Sequence, residues 1–364
     1  MTTVPNPAEA ARQAAWLRRS ALSEEQIRAF LQSGALFAWS EDRWLIAWGK
    51  SEKSDRPSPD CPSFYAPDFY LTDRAPWRIY PHTAAISPDS LALQIAPHRQ
   101  PRLWSTFDEE AFALAFQTVQ SAIAGGELHK AVPAVFEHSD GPLDISERGH
   151  ALRALANLPA GLMPYGCWND DGGVLGASPE LLFEDDGAEI YTMAVAGTAR
   201  AGAHPDELMD DPKERAEHRL VLDDLDARLA AFGAPTRGAT RLWRIGILSH
   251  LRTDLRVTPA RRAPFAELVA QLHPTPAVGI APRGDWKAAA RKIDSESRGF
   301  FAAPFGLVLP GGLSRCLVAI RNIQWTPRAS RCGAGCGLVS GSLLARETAE
   351  LRLKLAATRG NLGL

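Results

Sequence analysis

The stretch DPKERAEHRLVLDDLDARLAAFG, residues 211–233, carries helix signals at both ends. Asp211 suits an N-cap, Pro212 the first helical position, and Glu214 the place where a capping box sets its acid. His218, Val221, Leu222, Leu225, Leu229 and Phe232 recur at helical spacing, and Gly233 reads as the C-terminal cap. Glu217 stands beside that apolar stripe rather than opposite it, so its carboxylate is expected to turn toward an interior cleft. It is a candidate site acid.

Upstream of this helix, HKAVPAVFE, GCWND, GGVLGASPELLFED and AEIYTMAVAG are short β-type runs broken by Gly, Pro and Asp. Residues 106–124 have helical spacing and end at Gly125-Gly126, and residues 7–32 also read as helical. ALFAWS and RWLIAWG pair around a turn at Glu41-Asp42, while FYAPDFYL and LALQIA read as further strands. Residues 51–62 are polar and proline-rich, as an exposed loop would be. Downstream, helices are expected near 264–272 and 284–294, then strands FGLVLP, RCLVAIRNIQW and GCGLVSG, then a last helix from Leu344 to about Thr358. Strands arrive as hairpin-like pairs and not in strict alternation with helices. That favours an α+β fold, with large antiparallel sheets forming a sandwich and helices packed outside.

The 364 residues carry 40 basic against 42 acidic side chains, and 45% are hydrophobic, enough for a substantial core. No charge excess draws the chain to nucleic acid or to an anionic membrane surface. Residues 1–20 lack the apolar core of a signal peptide and no later run approaches a membrane span, so a soluble, cytoplasmic protein is expected. The five cysteines are read as reduced thiols. Cys332 and Cys336 lack a second ligand pair and read as small strand residues, not as a zinc site.

On the last helix Glu347, Glu350 and Lys354 are spaced to share one face, a pattern that by itself describes a solvated salt-bridge stripe. The blocks around it change its meaning. In chain order LHKAV, GASPELL, AVAGTARAG, DPKERAEH, SHL, LHPTPAV, RGFFAAPFG, AIR, GCGLVSGS and ETAELRLK resemble the chorismate-utilising enzymes, the family of isochorismate, salicylate, anthranilate and aminodeoxychorismate synthases. The resemblance covers about residues 113–358 and is strongest to the isochorismate synthases. It implies the chorismate-utilising enzyme fold, with residues 1–110 as a variable N-terminal part and 111–364 as the chorismate-binding catalytic core of one structural domain.

Carried over residue by residue, the resemblance makes Glu217 and Glu350 ligands of one magnesium ion, with Glu347 close by and acting through water. Magnesium takes oxygen donors and keeps several waters, which suits carboxylates from two distant helices plus a substrate carboxylate. Chorismate carries two carboxylates, so fixed positive groups and backbone donors are needed too. Arg321, Lys354, Gly335 and Gly337 match the family's substrate-binding positions, as do Thr198, His250 and Ala277. A strand arginine at the surface, packing glycines and a satisfied core histidine are the structural alternatives at these sites.

Lys130 stands where the water-using members keep a lysine as general base, and Glu180 matches the general acid that protonates the hydroxyl leaving carbon 4. The alternation in LHKAV puts Lys130 on the face of Leu128 and Val132, which would bury it; a lysine takes a proton near neutrality only in such a setting. An edge-strand lysine and a turn glutamate after Pro179 are the plainer readings. Ala196 occupies the place of a nucleophilic lysine found in some aminodeoxychorismate synthases, so covalent capture of the ring is not available there.

Ala194 replaces a usual proline, Val135 stands where an arginine is common, and LVLDDLDARL lacks the run of the amidotransferase-dependent members. A magnesium-dependent isochorismate synthase, monomeric and without an obligatory amidotransferase subunit, is therefore expected. Salicylate synthase and a non-catalytic chorismate-binding homologue are the rival readings. Menaquinone, siderophore and salicylate pathways remain open as destinations of the product.

Overall fold

The computed structural model describes Trp16 and residues 21–97, 101–200 and 205–364; the helical reading of residues 7–20, Trp16 apart, and the reading of the first residues as lacking a leader lie outside them. Two large antiparallel sheets form the centre. Among the described residues the first runs, edge to edge, His82–Ile86, Arg43–Trp48, Gly34–Ser40, Met163–Asn169, Gly172–Ser178, Asn322–Trp325, Ala329–Gly335, Ala134–Asp140. In the second, Leu248–Val257, Ile190–Arg200, Leu181–Asp185, Ser314–Val318, Pro304–Val308 and Ser63–Tyr65 are successive neighbours.

Side-chain alternation explains the layering. In ALFA, Ala35 and Phe37 join a core with Leu181, Met193, Val195, Phe305 and Leu317 of the second sheet. Leu36 and Ala38 instead face a core shared with the helices Glu24–Gln32, Ile145–Leu155 and Leu344–Leu362. A period of two sends neighbours to opposite faces, so one run feeds the sandwich interior and the helical layer at once. Behind the second sheet, Ala194, Ala196 and Leu255 pack against Val221, Leu225 and Leu229 of the helix Pro212–Leu229. The α+β sandwich with outer helices is the observed architecture.

Asp211 caps the Pro212–Leu229 helix, accepting from the amides of Lys213 and Glu214. Glu214 does not turn back to complete a capping box; its Oε2 accepts the Thr198 amide at 3.1 Å. The C-cap is Ala230, not Gly233, and Phe232 packs from the turn beyond the helix. LALQIA is not a strand: Ser87 caps and Pro88 opens a helix, Pro88–Gln94. Of FYAPDFYL only Phe64 and Tyr65 are in a strand, Ser63–Tyr65. RCLVAIRNIQW is two strands, Ser314–Val318 in one large sheet and Asn322–Trp325 in the other, parted where Arg321 takes a left-handed φ of 57°. The chain changes sheets there.

Three short strands, Ile280–Ala281, Lys130–Ala131 and Leu338–Val339, make a small third sheet beside the mouth of the sandwich. Lys130 is its middle-strand residue, opposite Ala281 on one side and Val339 on the other. All five cysteines are free thiols. Among the described residues no helix is long and apolar enough to cross a membrane.

Candidate active site

The strand Ile190–Arg200 bulges between Ala196 and Thr198, with Gly197 at a φ of 76°, and sets Thr198 opposite His250 of the neighbouring strand. His250 Nδ1 lies 3.0 Å from the Gly197 carbonyl oxygen and 3.2 Å from Thr198 Oγ1. A carbonyl only accepts, so Nδ1 carries the proton and Nε2 keeps its lone pair. Burial, with Arg321 and Lys354 nearby, pushes the His250 pKa down to about 3. The ring is neutral at any ordinary pH.

Glu180, Thr198, Glu217, His250 and Ala277 line one cavity, together with Arg321, Gly335, Gly337 and Lys354. Nine of the twelve sequence-predicted site residues thus meet, although they come from strands, loops and two helices far apart in the chain. Glu180 is 4% exposed, and its Oε1 accepts from Thr275 Oγ1 at 3.4 Å. Burial raises its carboxyl to about 7, against opposing pulls from Lys130, Thr275 and Lys354. It can therefore hold a proton near neutrality, which a carboxyl in water does not.

Lys130 is fully buried and stands one contact behind the cavity wall: its Nζ is 2.9 Å from Oε1 of Glu217. That contact is an ion pair whose hydrogen-bond geometry is not ideal. On Glu217, burial favours the neutral acid, but Lys130 and Lys213 outweigh it and hold the carboxyl below its ordinary range. Gly337 permits the pair, because a Cβ there would lie 2.8 Å from Lys130 Cε.

The acids of the two helices meet through lysines. Lys213 Nζ lies 3.0 Å from Glu214, 3.1 Å from Glu347 and 3.7 Å from Glu217, while Lys354 Nζ is 2.6 Å from Glu350 and donates to the Gly335 carbonyl at 2.9 Å. Burial opposes the charge on Lys213, but Glu217, Glu347 and Glu214 more than offset it and push its pKa up. Burial and then Glu217 lift Glu214 to about 6. Burial raises Glu347 against the pull of Lys213, and its buried Oε2 makes no hydrogen bond.

Among the described residues no three His, Cys, Asp or Glu side chains already converge as a metal-binding group. The donors nonetheless fit a hard divalent cation in kind: all are carboxylate oxygens, one of them buried and unpartnered, and magnesium needs only one or two protein carboxylates because it retains waters. Glu347 and Glu350 do not line the cavity; Glu350 pairs with Lys354, which does, and Glu347 is joined to Glu217 of the wall through Lys213.

Arg321 Nη1 donates to the Lys354 carbonyl at 3.4 Å, and burial lowers its pKa to about 10, still fully charged. Ala196 lines the cavity with no nucleophile to offer. Val135 and Ala194, the two departures from the family pattern, lie in the hydrophobic cores and do not line the cavity. Sequence reasoning missed Lys213, although its position four residues before Glu217 was a usable signal. It also missed the apolar lining from Val132, Val195, Phe301 and Ile320. The space between the lining atoms, open mouth included, is about 700 Å³.

Comparison with known proteins bears on the family and the fold. The chain is 35% identical over 227 residues to the salicylate biosynthesis isochorismate synthase of Pseudomonas aeruginosa, covering 60% of this chain and 48% of that protein. It is 27% identical over 267 residues to an isochorismate synthase of Bacillus subtilis, covering 70% and 56%. The chain spans about half the length of these curated relatives. The solved structure of the menaquinone-specific isochorismate synthase from Escherichia coli superposes with a TM-score of 0.77 at 19% identity, over 94% of this chain and 92% of that one. Anthranilate synthase component I from Streptococcus pneumoniae gives 0.64 at 16% identity, over 98% and 86%. At such identities the likeness establishes the fold. A family model described as chorismate binding enzyme matches residues 82–363, more than half of the chain, and the protein belongs to that family.

Proposed function

We propose that this protein is an isochorismate synthase, converting chorismate to isochorismate with magnesium. The observation that carries the reading is a buried, protonatable Glu180 on the wall of a cavity that also presents Arg321 and Lys354, with the fully buried Lys130 held just behind that wall against Glu217. Lys130, acting as the neutral amine, takes a proton from a water that attacks carbon 2 and becomes the ammonium paired with Glu217, the ring double bonds shift, and Glu180 protonates the hydroxyl leaving carbon 4. One water enters and one leaves, so the reaction is an isomerisation. Arg321 and Lys354 hold substrate carboxylates, and neutral His250 offers Nε2 as an acceptor.

Glu217 and Glu350, with Glu347 through water, would hold the magnesium, which supplies charge neutralisation and orientation for a dianionic substrate. The absence of a nucleophile at Ala196 supports water over covalent capture at this position. Relatives whose names mention isochorismate synthesis support the same reaction class.

Incubation with chorismate and magnesium is expected to yield isochorismate, released intact. Abundant salicylate with pyruvate would make the protein a salicylate synthase instead. Tight chorismate binding without product at any magnesium concentration would make it a non-catalytic homologue. Lys130→Ala and Glu180→Gln are each expected to lower turnover by roughly 10²–10⁴-fold while the fold is kept; wild-type rates in both would refute the assigned roles.

A further inference from the structure

Arg298 is 1% exposed and does not line the site cavity, yet its guanidinium joins two segments that do, at Val132 and Val278. Its Nε donates to Asp294 Oδ2 at 2.6 Å and its Nη2 to Asp294 Oδ1 at 3.0 Å, a bidentate pair whose carboxylate side chain is 2% exposed. The same Nη2 donates to the Val132 carbonyl at 2.5 Å, and Nη1 donates to the Val278 carbonyl at 2.7 Å. Asp294 Oδ1 in turn accepts the Ala134 amide at 3.0 Å.

These contacts fall where the chain leaves one sheet for another. Lys130–Ala131 belongs to the small sheet and Ala134–Asp140 to the first large one, and between them Pro133 has no amide proton. Arg298 and Asp294 supply the hydrogen bonds that neither sheet gives the bend. On the other side, Val278 and Gly279 donate their amides to the Thr275 carbonyl at 3.1 and 2.9 Å, and Thr275 Oγ1 donates to Glu180. The guanidinium therefore ties the bend two residues after Lys130 to the turn that touches Glu180.

A buried ion pair is a weak source of net stability, since apolar residues of similar size often serve as well. What apolar residues cannot do is bridge two carbonyls at fixed separation, and the planar fork of arginine can. We infer that Arg298 is a positioning residue that, with Asp294, fixes the Lys130 strand against the 275–278 turn and so sets the spacing of the base and acid. This rests on the isochorismate synthase reading.

Arg298→Lys keeps the charge beside Asp294 but cannot span both carbonyls. It is expected to fold, to lower kcat at least tenfold with KM for chorismate within about threefold, and to raise amide exchange at least tenfold in residues 130–136 and 275–281. Arg298→Ala with added methylguanidinium is the second variant, and partial recovery of kcat is expected. Unchanged kcat and unchanged exchange in Arg298→Lys would overturn the inference, as would a folded Arg298→Ala that works without the additive. If the wild type makes no isochorismate, the reaction assignment fails, and exchange in the two segments alone decides whether Arg298 is the spacer.

Discussion

A Cβ on residue 337 would lie 2.8 Å from the carboxyl carbon of Glu217, so Gly337 and Glu217 share space that admits no side chain at 337. Lys130 Cε lies equally close. Gly337→Ala must therefore disturb the Lys130–Glu217 pair, 2.9 Å apart, of which Glu217 lines the cavity. The expected outcome is a stability loss of about 1–3 kcal/mol and a turnover lower by at least roughly tenfold, read by urea denaturation and initial rates. Gly335→Ala would meet Val132 Cγ1 at 2.9 Å, an apolar contact away from the ion pair, and is expected to cost less activity.

Glu180 gives a pH signature with a definite sign. Its carboxyl is raised by burial from 4.5 to about 7, so between those values the folded protein keeps a proton that the unfolded chain has released. Stability from this group is therefore highest below about pH 4.5, falls as pH rises through the window, and is level above about 7, a change of at most about 3 kcal/mol. Glu180→Gln removes the titration. Measured at pH 5 and pH 8, the variant should gain stability relative to wild type at the higher pH although it turns over little chorismate. Wild-type kcat should fall as pH rises through about 7, because the acid must hold its proton to release the hydroxyl.

Arg321 and Lys354 are expected to act mainly on binding. Arg321→Ala removes a cation whose pKa of about 10 keeps it charged across the working range. Its loss should raise KM for chorismate by about 10–100-fold with a smaller change in kcat, the signature of an interaction made equally in ground and transition states. A collapse of kcat at unchanged KM would place Arg321 on the reacting centre instead.

The helix at 212–229 was legible because its start is written locally: Asp211 caps amides two and three residues on, and Pro212 needs no amide of its own. The antiparallel sheets were legible from strand runs such as ALFAWS and RWLIAWG that arrive as hairpin-like pairs around short turns. LALQIA misled because a short apolar run fits either a strand or a buried helical turn; the Ser87-Pro88 start signal was the better guide. The break at Arg321 had no glycine to announce its left-handed backbone. Arg298 was invisible for a different reason: an arginine is expected at the surface, and only the bend at Val132-Pro133 explains its burial.

Lys213 lies among the carboxylates that the proposed metal would use, 3.7 Å from Glu217 and 3.1 Å from Glu347. An ammonium and a divalent cation drawn to the same carboxylates compete, so the lysine should set the magnesium affinity as surely as the acids do. Calorimetric titration of the protein with magnesium alone is the direct measurement. Glu350→Ala and Glu217→Ala should weaken binding by roughly tenfold or more, each removing a carboxylate donor. Lys213→Met should tighten it by about threefold to tenfold, because Glu217 and Glu347 then lose one competing cation, and should lower stability in chelator-treated buffer because their repulsion is less compensated. Magnesium should restore that stability. Weaker binding in Lys213→Met would mean that the lysine and the metal occupy the cluster together.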